Sequence, residues 1–252
     1  MTKDFVYAKQ ASTQITAEIA AADNPYLAVQ QHIFGYELVE LMQKRSFTDV
    51  LYLLLTGELP TPAQAQLLAQ LQIALCNAGP RHPATRAVMT AGISKARPEH
   101  LLPIGLQVLG GERQGAAAVA EAWQALQDCL NQGDFHPAQQ PLPAGFGQVY
   151  AGFDPLQARL LTQLSSLPAA GPALRLCNQL QSYWQSQQQG ILDIGLCAAC
   201  CLDLGIGKRE SIGLFQLLRA PGLLAHGMEQ THRPITDSPL LSDDDYEFQQ
   251  DQ

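Results

Sequence analysis

The sequence predicts an all-α protein, and three observations carry that prediction. Helix starts are written as a capping residue followed by proline, at Thr61-Pro62 and Asp154-Pro155. The cap oxygen meets orphan N–H groups, and proline's fixed φ suits the first turn. Apolar residues recur at i, i+3, i+4 and i+7, as in "PAQAQLLAQLQIALCNAG", the period of a helix with one buried face. Alternating apolar and polar runs rich in β-branched residues, the mark of a half-buried strand, are scarce.

Taken in order, a short strand or hairpin is expected before residue 40, around "YLAVQQHIFGYEL". Ser46 followed by Asp49 is a capping-box pattern, and the helix "FTDVLYLLLT" stops at Gly57. The next helix starts at Pro62 and ends at Gly79. Further helices are expected at about 83–95, 98–108, 115–131, 155–166, 171–187, 190–204, 209–218 and 221–231. Residues 132–143, "QGDFHPAQQPLP", read as a loop or hinge. Residues 236–252 end in "SDDDYEFQQDQ", an acidic, polar and flexible tail whose plainest reading is a solvated end. No internal repeat of fixed period is present.

The 252 residues are enough for one large domain or two small ones. Apolar residues make up 46% and charged residues only 15%, which argues for extensive burial within the chain or against a partner. A net charge of −8 argues against nucleic acid, which needs a basic footprint. No run of about twenty apolar residues predicts a membrane span. The start, "MTKDFVYAKQ", lacks the basic-then-apolar pattern of a signal peptide, so a cytoplasmic location is expected. The six cysteines are then reduced thiols. Cys197-x-x-Cys200-Cys201 invites a metal or redox reading, but it lies in the apolar run "ILDIGLCAACCLDLG". There free cysteine packs as a small hydrophobe. No second pair stands at zinc spacing, and no metal is expected.

One loop is a candidate site. In "PLPAGFGQVY", Gly145 and Gly147 free the backbone for a tight turn that would present Gln148. Glutamine donates and accepts hydrogen bonds but moves no proton at neutral pH.

Three blocks carry a family resemblance. "GYELVELMQKRSFTDVLYLLLTGELPTPAQAQLL", "PLPAGFGQVYAGFDP" and "LDLGIGKRESIGLFQLLRAPGLLAHGMEQTHRP" resemble, in the right order, segments of citrate synthases and the related citryl-CoA lyase-like proteins. The resemblance covers about residues 24–235; the first and last blocks are the specific ones. It implies an all-α, citrate synthase-like fold: a large helical domain from residues 1–114 and 191–252, with a small CoA-side helical domain, 115–190, inserted between them. It also implies a dimer, with a small-molecule carboxylate or an acyl-CoA as ligand. No cofactor would be bound covalently; a coenzyme A thioester is the cofactor to expect.

The chemistry implied is removal of a proton next to a thioester and attack on a 2-oxo acid, or the related cleavage. It needs a carboxylate base, a histidine on the thioester oxygen, a second histidine on the ketone, and arginines for carboxylates. On this sequence the first histidine's place falls on Gln114 and the second's on Gln148. The base's place falls on Ile194, with Asp193 one residue earlier. One residue is about 100° on a helix, so Asp193 is expected to point away, as a helix-start or surface carboxylate, unless the helix start is irregular. Arg219 and Arg233 match two carboxylate-binding arginines, the second acting across the dimer; the alternative is that both are structural ion-pair partners. Leu156 stands at a third arginine's place, with Arg159 one turn on as its candidate replacement. Gly145, Phe146 and Gly147 resemble the CoA-facing loop. A further keto-acid histidine would fall at Ala78 or a neighbour; His82 does not match and reads as partly exposed. His226 reads as packing or interface.

These replacements imply a divergent, catalytically inactive protein. It would bind a CoA thioester or a di- or tricarboxylate, or serve as partner subunit of an active paralogue. The alternatives are an active condensing enzyme or lyase using Asp193, Glu112 or Arg113 in a displaced register, and a ligand-free scaffold.

Overall fold

Ten α-helices, five short strands and a three-residue 3-10 turn (Ile235–Asp237) account for the regular structure among the described residues. The structure, a computed structural model, describes residues 10–111, 114–132, 142–148, 150–239 and 241–249. Glu112, Arg113, residues 133–141 of the expected hinge, and positions 240 and 250–252 of the tail lie outside the described residues. The chain divides into two compact units, residues 1–68 and 69–252.

In the first unit, β1 (Thr16–Ala20), β2 (Ala28–Ile33) and β3 (Tyr36–Glu37) form an antiparallel sheet in that order. Thr16 stands opposite Ile33, and Ile33 opposite Tyr36. The sequence predicts only the later part of this sheet. The segment "TAEIA" of β1 is exposed along its whole length, so no one-sided alternation marks it. The helix α1 (Leu38–Lys44) is capped by the Glu37 carboxylate, which accepts from the Glu40 N–H. In α2 (Phe47–Thr56), Ser46 and Asp49 make the expected reciprocal capping box, and Gly57 ends the helix at φ +83°. The start of α3 (Pro62–Leu75) repeats the device: Thr61 Oγ1 accepts from the Gln64 N–H, and Gln64 Oε1 accepts from the Thr61 N–H. The boundary between the units falls inside α3.

The second unit holds α4 (Pro83–Ile93), α5 (Pro98–Leu109), α6 (Ala117–Gln132), α7 (Pro155–Ser165), α8 (Pro172–Ser186), α9 (Asp193–Asp203) and α10 (Lys208–Thr231). Two-residue strands β4 (Phe146–Gly147) and β5 (Gly190–Ile191) pair antiparallel between them. Every residue of α9 from Ile194 to Cys201 is buried. A helix apolar all round is a core helix, which explains the unbroken hydrophobic run. Cys177, Cys197, Cys200 and Cys201 have no exposed surface. Burial pushes the Cys177 and Cys200 thiols up, and the Cys201 contact together with burial does the same for Cys197. These thiols pack; they are not nucleophiles.

The sequence predicts two helices where α10 is one. Pro221 lies inside it, and proline removes an N–H from the ladder. The next N–H, of Gly222, donates to the Cys76 carbonyl at 2.8 Å, and the Arg219 Nη1 donates to the Leu75 carbonyl at 3.0 Å. Carbonyls at and just beyond the end of α3, which have no intrahelical partner, are thus satisfied by α10.

The α8 start has no cap of its own at Gly171. Asp203, at the far end of α9, supplies it, accepting from the N–H groups of Gly171, Ala173 and Leu174 at 2.8, 2.9 and 3.0 Å. Burial raises its pKa against the pull of those donors and of Arg175. Asp203→Ala is expected to cost about 2 kcal/mol in urea unfolding, as loss of a partly buried charged cap, and Asp203→Asn, which keeps an acceptor, clearly less.

Candidate functional site

The loop that the sequence singles out is zipped to the chain entering α9. Phe146 pairs with Ile191 and Gly147 with Gly190, and the Leu192 N–H donates to the Gly145 carbonyl at 2.9 Å. Phe146 is buried, its ring 5.1 Å from that of Trp184. Gln148 extends the zipper: its Nε2 donates to the Gln188 carbonyl at 2.7 Å. The amide closes a turn with its donor end. The loop therefore sets where α9 begins, and α9 begins at Asp193.

A cavity of about 460 Å³ lies beside that start. Its walls come from the end of α3 and the turn after it (Asn77 to His82), from Gln114, from the start of α7, and from Leu192, Asp193 and Arg219. A second cavity of about 240 Å³ adjoins it, sharing Arg81, Tyr150, Asp154 and Leu192, and takes in Gly147 and Gln148. Among the candidate residues, Gln114, Asp193 and Arg219 line the first cavity, and Gln148 lines the second. Arg159 is exposed and lines a separate hollow with Leu160 and Gln163. Leu156 borders both that hollow and the first cavity. Arg233 lies just past the end of α10, half-exposed, paired with Glu229 and Asp237, and its carbonyl accepts from the Lys95 ammonium. Gly145 and Phe146 line neither cavity.

Asp193 is a helix-start carboxylate, one of the two readings that the sequence offered. It is the first helical residue of α9, and Leu192 before it is extended. Its carboxylate faces the cavity and pairs with Arg219. Ile194, at the base's place, is buried. Arg219 is only 4% exposed. Nη2 donates to Asp193 and Nη1 to the Leu75 carbonyl, while Nε has no hydrogen-bond partner. Its guanidinium also lies 5.1 Å from the centre of the Phe215 ring, within cation–π range. Burial draws its pKa down to about 10, so it stays charged at neutral pH.

His82 is the residue that sequence reasoning misplaced. It is 7% exposed and caps α4: its Nδ1 accepts from the Ala84 N–H at 3.1 Å. An accepting Nδ1 puts the neutral ring's proton on Nε2, which is buried, and the ring has the Gln114 backbone beside it as a hydrogen-bonding group. Burial, then the positive Arg219, lower its pKa from 6.5, against an opposing pull from the Gln114 backbone. The signal was present: His82-Pro83 is the cap-then-proline signature again, with histidine as the cap. Arg81, lining both cavities and exposed, was not singled out either. A histidine whose folded pKa is depressed contributes stability fully present above its unfolded pKa and lost as pH falls through the folded one. Wild-type stability should therefore drop from pH 7.5 to 5.5 with an extra slope of at most about 1.4 kcal/mol per pH unit. His82→Ser, which keeps a capping oxygen, should flatten that slope. Parallel urea-unfolding profiles for the two proteins would remove His82 as its source.

Among the described residues no group of side chains is arranged to hold a metal ion, and no helix is long and apolar enough to cross a membrane.

Solved structures give the fold a context. Citryl-CoA lyase from Hydrogenobacter thermophilus matches with a TM-score of 0.78 at 22% identity, over 96% of this chain and 95% of that one. ATP citrate lyase from Methanothrix soehngenii, in complex with citrate and coenzyme A, matches with a TM-score of 0.72 at 16% identity, over 98% of this chain. This chain spans only 44% of that lyase. Citrate synthase from the archaeon Thermoplasma acidophilum, in complex with carboxymethyl coenzyme A and oxaloacetate, matches with a TM-score of 0.60 at 17% identity, over 82% of this chain and 58% of that one. No family model and no curated protein sequence matches. The chain has the all-α, citrate synthase-like fold.

Proposed function

We propose that the chain is a member of the citrate synthase and citryl-CoA lyase-like family that has kept the ligand cleft and lost the condensing chemistry. It binds a CoA thioester, a di- or tricarboxylate, or both, and acts as a homodimer or as partner subunit of an active paralogue. One observation carries this reading: the cavity collects Gln114, Asp193 and Arg219, but the one carboxylate near the base's place is already committed to Arg219. Of the titratable groups that remain, His82 has its Nδ1 committed to the Ala84 N–H and Asp154 its carboxylate to the α7 cap. Arg81, for which no ion pair is seen among the described residues, suits an anionic group of such a ligand. Exposed Ile73, Leu217 and Leu224 suit a second subunit.

Thermal-shift titration with acetyl-CoA, coenzyme A, citrate and oxaloacetate tests the binding, and thiol release from acetyl-CoA plus oxaloacetate tests the inactivity. Stabilisation without release is expected. Sustained release would overturn inactivity, and no shift with any compound would leave a scaffold.

A second reading has one observation in its favour: Asp193 faces the cavity, where a base is needed. In that reading Asp193 leaves Arg219 on substrate binding and takes the proton. Turnover that survives Asp193→Asn unchanged would eliminate it.

A further inference from the structure

We propose that Arg81 is the anion anchor of the cleft, with the ligand's anionic group held between its guanidinium and the start of α4. This rests on the reading of the cavity as the ligand cleft, and deepens it by placing the ligand's charge within that cleft.

Three helices start at the cavity wall: α4 after His82, α7 after Asp154 and α9 after Leu192. A helix start carries partial positive charge and attracts anions. The chain supplies a carboxylate to two of the three. Asp154 caps α7, accepting from the Leu156 and Gln157 N–H groups, and Asp193 stands in the first turn of α9. The α4 start has no acidic residue in its first turn, and its cap is a histidine, uncharged at neutral pH.

Arg81 adds a full positive charge at that same end. It lies in the turn from Gly79 to His82, closed by the His82 N–H on the Gly79 carbonyl at 3.3 Å, and the His82 ring beyond it caps α4. Its backbone is thus fixed on both sides. The side chain is exposed, borders both cavities, and makes no ion pair among the described residues. Asp154 also borders both cavities, but its carboxylate is taken by the α7 start. Arg219, the other arginine of the wall, has Nη1 on the Leu75 carbonyl and Nη2 on Asp193. A cation at a helix start is unfavourable by itself. An anionic group beside it relieves both charges at once, and a guanidinium grips such a group through two parallel N–H donors. Ala74, Ala78, Leu156 and Leu160 give the larger cavity an apolar wall for the rest of the ligand. Carboxylate and phosphate share this chemistry, and the experiment separates them.

Wild type, Arg81→Gln and Arg81→Glu are compared by thermal shift at low salt, where exposed charges are least screened. Each is measured alone and with citrate, inorganic phosphate or coenzyme A. Without ligand both variants should melt higher than wild type, Arg81→Glu by about 1–3 °C. A compound that stabilises wild type should need at least about tenfold more for half-saturation in Arg81→Gln. A loss confined to citrate makes the anchored group a carboxylate; a loss confined to phosphate and coenzyme A makes it a phosphate. Equal half-saturation in wild type and Arg81→Gln overturns the proposal and leaves the cleft as a binding site. Variants that melt no higher than wild type without ligand also overturn it, since the charge at that end is then already met. A wild type that responds to none of the compounds strikes the reading of the cleft itself, and the proposal with it.

Discussion

Arg219→Met is expected to lower stability by about 3–5 kcal/mol, the cost of taking one partner from a buried ion pair. Three groups lose at once. Asp193 is left with no counter-ion, the Leu75 carbonyl loses the Nη1 donor, and the Phe215 ring loses the cation beside it. Methionine fills much of the volume, so the loss is electrostatic and hydrogen-bonded more than steric. Asp193 is 18% exposed, and water can take up part of its unpaired charge; this places the expectation toward the lower end. Urea unfolding of wild type, Arg219→Met, Asp193→Leu and the double variant closes a thermodynamic cycle. The double variant should be markedly more stable than the sum of the single losses predicts, because an apolar pair of similar volume often replaces a buried ion pair at little cost. A single-variant loss under about 1 kcal/mol would mean that the pair behaves as a solvated surface bridge.

This expectation ties stability to the cleft. Arg219 joins α10 to the end of α3 and to the start of α9, and all three contribute to the cavity wall. The alternative raised for Arg219, a structural ion-pair partner, and its place in the cleft therefore describe one arrangement. The same side chain that would seize a ligand carboxylate is used to hold the wall together.

Local signals were legible in the sequence and long-range ones were not. Ser46 with Asp49, Thr61 with Gln64, and Asp154 before Pro155 each cap a helix through a partner two or three residues away. The apolar run around Cys197 to Cys201 reads as a core helix because every position is buried. By contrast, the Gly222 N–H just after Pro221 meets the carbonyl of Cys76, far upstream, and nothing beside Pro221 announces that contact. The inward ring of His82 follows from its bond to the Ala84 N–H and its burial; reading it as partly exposed missed the cap. Asp193 is the helix-start carboxylate that the sequence offered, but its pairing with Arg219 was not legible there. Its real position follows from strand pairing between Phe146 and Ile191, contacts between segments more than forty residues apart in sequence, which periodicity cannot carry.

The glycine contact behind that pairing gives the second large expected effect. Gly195→Ala should destabilise the protein by about 2 kcal/mol, although helix propensity alone would make it stabilising by roughly 1. Gly195 lies in α9, and a Cβ there would stand 2.3 Å from the Gly145 carbonyl oxygen. That oxygen accepts from the Leu192 N–H, so relief of the clash breaks a hydrogen bond worth about 1 kcal/mol, on top of overpacking that costs about 1–3. Gly145→Ala should be worse, by about a further 1–2 kcal/mol, because Gly145 has φ +85° and its added Cβ would meet the Gly195 nitrogen at 2.6 Å. Gly213→Ala is the control: it lies in α10 with nothing within 4 Å, and should gain up to about 1 kcal/mol. Urea unfolding of the three variants checks the order Gly213→Ala, wild type, Gly195→Ala, Gly145→Ala, from most to least stable. If Gly195→Ala were as stable as Gly213→Ala, the loop would not be docked on α9. Asp193 would then owe its place in the cavity to the Arg219 pair alone.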